Sequence, residues 1–155
     1  FYDVEKIIRI GSAGAYTKDL NLYDVVLAKD AFSESSYAKT MGVTGRKILA
    51  ANKSLNNRIL KAAEKLNTEV HVHTIHSSDV FYRLNADEYK DIHEKYGAAC
   101  VEMESFALFA NAKALGKKAA CLLTISDNLV THEVTTSQER QEAFTKMMLI
   151  ALNSI

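Results

Sequence analysis

The stretch Lys118-Lys-Ala-Ala-Cys-Leu-Leu-Thr-Ile-Ser-Asp127 decides the fold of this 155-residue chain. An unbroken apolar run follows two lysines and ends in a hydroxyl and a carboxylate, which is typical of a strand buried on both faces of a sheet. Ligands of open parallel sheets bind beyond the carboxyl ends of the strands, where Ser126 and Asp127 lie. The sequence therefore predicts a central strand with polar groups at its functional end.

Two further segments share this pattern. Lys6–Ile10 is apolar and runs into the turn-like Gly11-Ser-Ala-Gly14, and Ala98–Val101 runs into Glu102-Met-Glu104. Each segment reads as a buried strand that ends in polar groups. We therefore predict that the three strand ends form one pocket.

The rest of the chain alternates between strand and helix patterns. The predicted strands are Asp24–Ala28 and Glu69–Ile75, with an irregular loop over Phe32–Gly45. The predicted helices run from an N-cap at Ser54 to Leu66, from Asn85 to Tyr96, from Glu102 or Met103 to Leu115, and from the Thr136-Ser-Gln-Glu139 capping box onward, burying Phe144, Met147, Met148, Ala151 and Ile155. This alternation predicts one α/β layered domain over residues 1–155.

Composition argues against some classes of function. The chain is 48% apolar and 25% charged with a formal net charge of zero, which argues against a broad electrostatic surface for nucleic acid or acidic membranes. No apolar run approaches the roughly 18 residues of a membrane helix. Cys100 and Cys121 lie inside apolar strand patterns, so we predict two buried, reduced thiols and a cytoplasmic protein.

Arg9 and the small residues after it form a candidate anion site. Gly11 allows backbone N–H groups to approach an anion closely, and Ser12 adds a hydroxyl. The planar guanidinium of Arg9 suits phosphate. A plain transition from strand to turn is the alternative interpretation.

Glu102, Met103 and Glu104 form a candidate sugar site, because a carboxylate can bind a diol while the thioether covers an apolar ring face. The alternative is the first turn of a helix, where the helix dipole favours acidic residues. At the third strand end, Asp127 is either a general acid whose charge Arg140 tunes or an ordinary turn residue.

Aromatic and histidine patterns are less specific. Phe81 and Tyr82 follow a predicted strand and turn, where exposed rings would stack on a flat ligand, with core packing as the alternative. The five histidines include the alternating pair His71 and His73, but no second cluster completes a metal site at ligand spacing. We therefore predict no metal centre.

Five motifs occur in an order that is informative as a set. They are Arg9-Ile-Gly-Ser-Ala-Gly14, Ser78-Asp-Val-Phe-Tyr82, Val101-Glu-Met-Glu104, Thr124-Ile-Ser-Asp127 with Thr131-His-Glu133, and Glu139-Arg-Gln141. Together they resemble the bacterial hexameric purine nucleoside phosphorylases of the DeoD type. The resemblance implies a three-layer α/β/α fold with a mixed central sheet. It also implies a glycosyltransferase of purine salvage, which converts purine (deoxy)ribonucleosides and phosphate to free base and (deoxy)ribose 1-phosphate.

The resemblance further implies a role for each matching residue. A phosphate site would be formed by Arg9, Ile10, Gly11 and Ser12. A nucleoside site would be formed by Phe81, Val101, Glu102, Met103, Glu104, Ser126 and Asp127. Within it, Glu104 would bind the ribose hydroxyls, Phe81 would pack on the base, and Asp127, assisted by Arg140, would protonate purine N7. No metal or organic cofactor is implied, since inorganic phosphate is a substrate.

The N-terminal part of the family, with its first strands and further arginines, finds no match in this sequence. We therefore expect a partial domain in which residues 1–155 alone show no phosphorolysis, whereas the full-length protein is a homohexamer built as a trimer of dimers. Three alternatives remain. A methylthioadenosine/S-adenosylhomocysteine nucleosidase is disfavoured by Arg9, a uridine phosphorylase is disfavoured by Asp127, and a nucleoside-binding or assembly-only fragment would lack catalysis.

Overall fold

The computed structural model describes residues 2–142 and 144–155. The strands are β1 (Lys6–Ala15), β2 (Val25–Phe32), β3 (Ile48–Ala50), β4 (His71–Ser77), β5 (Ala98–Glu102) and β6 (Lys118–Asn128). The helices are α1 (Tyr37–Thr40), α2 (Lys53–Lys65), α3 (Glu88–Tyr96), α4 (Ser105–Ala114), α5 (Ser137–Glu142) and α6 (Thr145–Leu152). No helix within the described ranges has the length and apolar character needed to cross a membrane.

The sheet is mixed, as predicted, and it closes on itself. Strands β2, β4, β5, β1 and β6 pair in that order, and β6 pairs again with β2, while β3 adds to the far end of β2. The β1–β6, β2–β4 and β4–β5 pairs are parallel. The β1–β5, β2–β6 and β2–β3 pairs are antiparallel. The closing β2–β6 pair places the predicted central strand, β6, between β1 and β2.

Alternate residues of β6 face two apolar cores, as a strand buried on both faces requires. Cys121 and Leu123 join a core that includes Phe106 of α4. Ala120 and Leu122 join a second core, which contains residues of α2 and α6. Helices therefore cover both faces of the sheet, and the predicted layered α/β architecture is confirmed.

Strand β1 has one open edge. It pairs with β6 over its whole length, but β5 reaches it only at Gly14 and Ala15. Among the described residues no other strand lies beside the segment before Gly14, and Ile7, Ile10 and Ser12 are exposed there. We call the gap where β1 and β5 separate the β1–β5 opening.

Several predicted boundaries were wrong. β1 continues through Gly11 and Gly14, because β6 pairs with it as far as Ala15. The short helix α1 lies within the predicted loop, and β3 was not predicted at all. Asn52 rather than Ser54 caps α2, since its side chain accepts a hydrogen bond from the N–H of Leu55 at 3.0 Å.

At the C-terminal end, the predicted capping box is confirmed. The N–H of Thr136 donates to the Glu139 carboxylate, and the N–H of Glu139 donates to the Thr136 hydroxyl. The structure has two helices, α5 and α6, where one last helix was predicted. Residue 143 lies outside the described residues. Met148 and Ile155 are exposed, and Ile150 takes the core position instead.

Both cysteines occupy the interior of the fold. Cys100 lies on β5 and Cys121 on β6, and both are free, buried thiols, as predicted. Burial raises the pKa of Cys121 to about 12 and raises that of Cys100 as well. The two side chains therefore stay as neutral thiols and act as core residues.

Candidate active site

Arg9 connects β1 to the end of β5 across the β1–β5 opening. Its guanidinium donates to the Glu104 carboxylate, and its Nη1 lies 3.4 Å from Oε2 of Glu102. The side chain folds back over Gly11, where an added Cβ would overlap that Nη1. Burial opposes the charge, but the two glutamates outweigh it and raise the pKa of Arg9. The opening therefore holds a fixed cation.

Glu102 is enclosed by protein rather than open to a ligand. Its side chain is 1% exposed, and its carboxylate accepts hydrogen bonds from the N–H groups of Glu104 and Ser105 at 3.1 Å. Burial raises the pKa of Glu102, against the opposing effects of Arg9 and these N–H groups. The carboxylate covers the N-terminus of α4, which begins at Ser105 and not at Glu102 or Met103 as predicted. This geometry supports a positioning role for the side chain.

Met103 and Glu104 are the open members of the predicted sugar site, with Glu104 showing 59% of its side chain to solvent. Both follow the end of β5, and Glu104 accepts a hydrogen bond from Arg9 of β1 across the opening. One predicted phosphate residue, Arg9, therefore contacts one predicted sugar residue, Glu104, across the β1–β5 opening.

Asp127 lies over β1 at the closed end of this opening. Gly14 is its register partner, and a Cβ there would lie 2.7 Å from Oδ2 of Asp127 and 2.8 Å from Cδ1 of Leu129. The hydroxyl of Ser126 donates to Oδ1 at 2.7 Å. A glycine inside a strand marks a close approach of this kind. Arg9 lies on the same strand five residues before Gly14. The rise per residue of a strand puts the two Cα atoms about 16 Å apart.

Arg140 does not contact Asp127, although the resemblance implies that the two side chains pair. Its Nε donates to the Thr135 hydroxyl at 3.0 Å, and its Nη2 donates to the Thr135 carbonyl at 3.3 Å. Thr135 in turn donates through its N–H and its hydroxyl to the carbonyl of Ser126, both at 2.8 Å. Arg140 is thus linked through one threonine to the residue before Asp127, and its assistance to Asp127 stays a prediction.

The two predicted aromatic residues lie on the surface, which rules out the core-packing alternative. Phe81 is 74% and Tyr82 is 90% exposed, and their rings meet edge to face with centroids 5.0 Å apart. The segment that carries them begins at Ser78, whose N–H donates to the carbonyl of Glu102 at 2.8 Å. Val101, half-buried, pairs with Gly14 at the closed end of the opening.

A cavity of about 330 Å³ shares one residue with this site. Its lining is rich in hydroxyl groups and consists of Ser33, Ser35, Ser36, Tyr37, Thr40, Ser77, Asp79, Met103, Phe106 and Ala107. Of the predicted site residues, Met103 lines it. Arg9, Glu102 and Glu104 contact one another at the opening instead.

Sequence reasoning missed two features of this region. Gly14 belonged to a recognised motif but received no role, although a glycine inside a strand pattern is a usable signal. Arg83, which holds the aromatic segment through Glu34, gave no signal because its partner lies 49 positions away in the chain. Within residues 2–142 and 144–155, no group of three His, Cys, Asp or Glu side chains could hold a metal ion.

The fold and the site define an α/β protein with polar residues at the ends of three neighbouring strands, β1, β5 and β6. Comparison with known proteins identifies its family. A family model described as "Phosphorylase superfamily" matches residues 2–154. The chain belongs to this superfamily.

Several curated relatives share the name "Purine nucleoside phosphorylase DeoD-type". The protein from Mycoplasma genitalium is 48% identical over 154 residues, which cover 98% of this chain and 64% of the relative. The protein from Colwellia psychrerythraea is 40% identical, with 99% and 65% covered. The chain thus spans about 64% of the length of such relatives.

A solved structure shares the fold. The 5'-methylthioadenosine/S-adenosyl homocysteine nucleosidase of Campylobacter jejuni aligns with a TM-score of 0.83, over 98% of this chain and 69% of that one. The two sequences are 21% identical. At that level of identity the similarity establishes the architecture alone.

Proposed function

We propose that the protein is a purine nucleoside phosphorylase, which cleaves purine ribonucleosides and deoxyribonucleosides with phosphate to give free base and pentose 1-phosphate. The observation that carries the proposal is the Asp127 carboxylate over Gly14 of β1, the strand that also carries Arg9. The similarity to DeoD-type relatives at 48% and 40% identity supports it.

In the proposed reaction, Asp127 is the general acid. A phosphate oxygen forms a bond to C1′ of the sugar while the bond from C1′ to purine N9 breaks, and its electron pair moves into the base. A proton from Asp127 to N7 stabilises the departing base, an effect worth about 10²–10⁴-fold in rate. Because Ser126 holds Oδ1, Oδ2 is the oxygen that carries the proton.

Phosphate binding exchanges one partner of Arg9 for another. Arg9 already contacts two carboxylates, and we expect an arriving phosphate to compete with them for the guanidinium and displace one. Glu104 is the exposed one, whereas Glu102 stays fixed by the N-terminus of α4. The released Glu104 can then accept hydrogen bonds from the ribose hydroxyls. Arg9, Glu104 and the sugar would therefore be coupled through phosphate.

A nucleosidase that uses water is the second candidate, because the Campylobacter jejuni nucleosidase has the same fold. The fixed cation at Arg9 favours an anionic nucleophile over water.

We also propose a cytoplasmic homohexamer, a trimer of dimers, that uses no metal or organic cofactor. Sedimentation of the protein produced from its complete gene tests the assembly.

The activity is tested by incubating that protein with inosine or adenosine, with and without phosphate. We expect release of base that requires phosphate and yields pentose 1-phosphate. Equal release without phosphate, with free ribose as product, identifies a nucleosidase instead, and preferred cleavage of uridine identifies a pyrimidine enzyme.

A further inference from the structure

A second polar cluster lies outside the β1–β5 opening and joins three strand ends. His76, at the end of β4, is completely buried. Its Nδ1 lies 2.8 Å from the hydroxyl of Tyr16, which follows β1, and its Nε2 lies 2.6 Å from Oε2 of Glu34, which follows β2. The other oxygen of Glu34 accepts a hydrogen bond from Arg83. The cluster therefore connects the sheet to the segment of residues 78–87, which we call the aromatic loop.

The charge states in this cluster are mutually consistent. Burial lowers the pKa of His76, so its neutral ring donates from Nε2 to Glu34 and accepts at Nδ1 from Tyr16. Burial raises the pKa of Tyr16, which keeps its hydroxyl proton. Burial also opposes ionisation of Glu34, but hydrogen bonds from Arg83 and His76 outweigh it and lower the pKa of Glu34 to about 2. Arg83 thus faces a permanent carboxylate at neutral pH.

Arg83 is the member of the cluster that belongs to the aromatic loop. Besides Glu34, it donates to Oε2 of Glu88 and to the hydroxyl of Ser78, each at 2.7 Å. The planar guanidinium reaches all three acceptors at once through a fork of fixed geometry, which the ammonium of lysine lacks. Arg83 therefore fastens the middle of the loop to its own start, to α3 and to the sheet.

The loop has little else to hold it. Residues 78–87 contain no helix or strand, and Phe81 and Tyr82 project into solvent. Segments with few buried apolar contacts open locally at low cost in free energy. The position of the two aromatic rings is therefore set mainly by the hydrogen bonds of Arg83 and by those of Ser78 at the start of the loop.

We propose that Arg83 is a positioning residue that holds the aromatic loop over the base end of the site and thereby sets the affinity for the nucleoside. The inference rests on the proposed function in one respect, that Phe81 packs on the purine. A loop that is correctly placed only a tenth of the time raises the apparent dissociation constant about tenfold. Arg9 and Ser12 have no contact with this cluster, so phosphate affinity is independent of it.

The kinetic test compares Arg83→Met with Arg58→Met, a change at an exposed arginine of α2, in the protein produced from its complete gene. We expect Arg83→Met to raise KM for inosine about tenfold while kcat and KM for phosphate stay within about twofold. Arg83→Lys should recover part of the loss, and Arg58→Met should match the wild type. An unchanged KM for inosine, or an equal rise in both KM values, overturns the proposal.

Hydrogen exchange gives a second measurement that does not depend on catalysis. Amides of residues 78–87 should exchange about tenfold faster in Arg83→Met than in the wild type, while those of β1 and β6 stay unchanged. Unchanged loop exchange overturns the positioning role whatever the kinetics show. A protein that cleaves no nucleoside, yet shows the faster loop exchange, contradicts the proposed function but leaves Arg83 as the residue that holds the loop.

Discussion

The Asp127 end of the site and the aromatic loop are held by different kinds of interaction. Asp127 lies on β6, whose backbone pairs with β1 through ten positions, and its carboxylate rests directly on Gly14. The aromatic loop depends on side-chain hydrogen bonds centred on Arg83. The comparison shows that the place of the proposed acid is a property of the sheet, whereas the place of the Phe81 and Tyr82 rings depends on the hydrogen bonds of a few side chains.

Asp127→Asn should have the largest effect, because it changes the chemistry at the rigid end and leaves the shape intact. The amide keeps an oxygen for the Ser126 hydroxyl but has no acidic proton to give. We expect kcat/KM for inosine to fall by about 10²–10⁴-fold, as measured by phosphate-dependent release of base. The control is Asp91→Asn, at an exposed position of α3. Activity equal to that of the control would remove Asp127 from the mechanism.

Glu102→Ala tests the second rigid point, where β5 meets α4. The change leaves Arg9 with one carboxylate fewer and two backbone N–H groups without their acceptor. Breaking a buried ion pair from one side typically costs about 3–5 kcal/mol, and we expect a loss of about 3 kcal/mol because the Arg9 side chain is 21% exposed. Urea unfolding measures it against Glu94→Ala, an exposed site on α3. Equal stability of the two variants would show that Glu102 does not hold the site together.

Gly14→Ala tests the contact between the two strands directly. The added methyl group would overlap the Asp127 carboxylate and the Leu129 side chain, and overpacking of this kind costs about 1–3 kcal/mol. Gly45→Ala is the matched control, since a Cβ at Gly45 meets nothing within 4 Å. We expect urea unfolding to show the loss in Gly14→Ala alone, together with reduced kcat. Indistinguishable variants would mean that Asp127 is not seated on Gly14.

Glu34→Gln should have the smallest effect and probes the loop side. The pKa of Glu34 is lowered from 4.5 to about 2, so its carboxylate stabilises the fold above about pH 4.5. That contribution is lost as the pH falls from 4.5 through 2. The stability difference between the wild type and Glu34→Gln should therefore shrink across this window. Unfolding curves at several pH values measure the difference, with Glu94→Gln as the control. A difference that stays constant or grows as the pH falls would contradict the assigned ionisation.

The same contrast explains how much the sequence could predict. The run that forms β6 has one consistent pattern, so its burial on both faces and the place of Asp127 at its end followed from local residues. The polar residues at the ends of β1 and β5 were also predicted from local sequence, and two of them, Arg9 and Glu104, are in contact. These predictions succeeded because each depends only on the residues of a single strand.

Other features depend on partners far away in the chain. The closing pair of β2 with β6 and the shift between Ala13 and Gly14 arise only when the strands meet. Arg83 finds Glu34 across 49 positions, and no spacing rule connects them. At the helix start, Asn52 and Ser54 are both good caps, and only the path of the preceding chain decides between them.

A structure of the protein with a nucleoside analogue and phosphate bound tests the central claim most directly. We expect Oδ2 of Asp127 within about 2.6–3.2 Å of purine N7, with the phosphate on the Arg9 guanidinium and Glu104 turned to the sugar hydroxyls. A nucleoside bound elsewhere, or a base whose N7 lies beyond the reach of Asp127, would contradict the account.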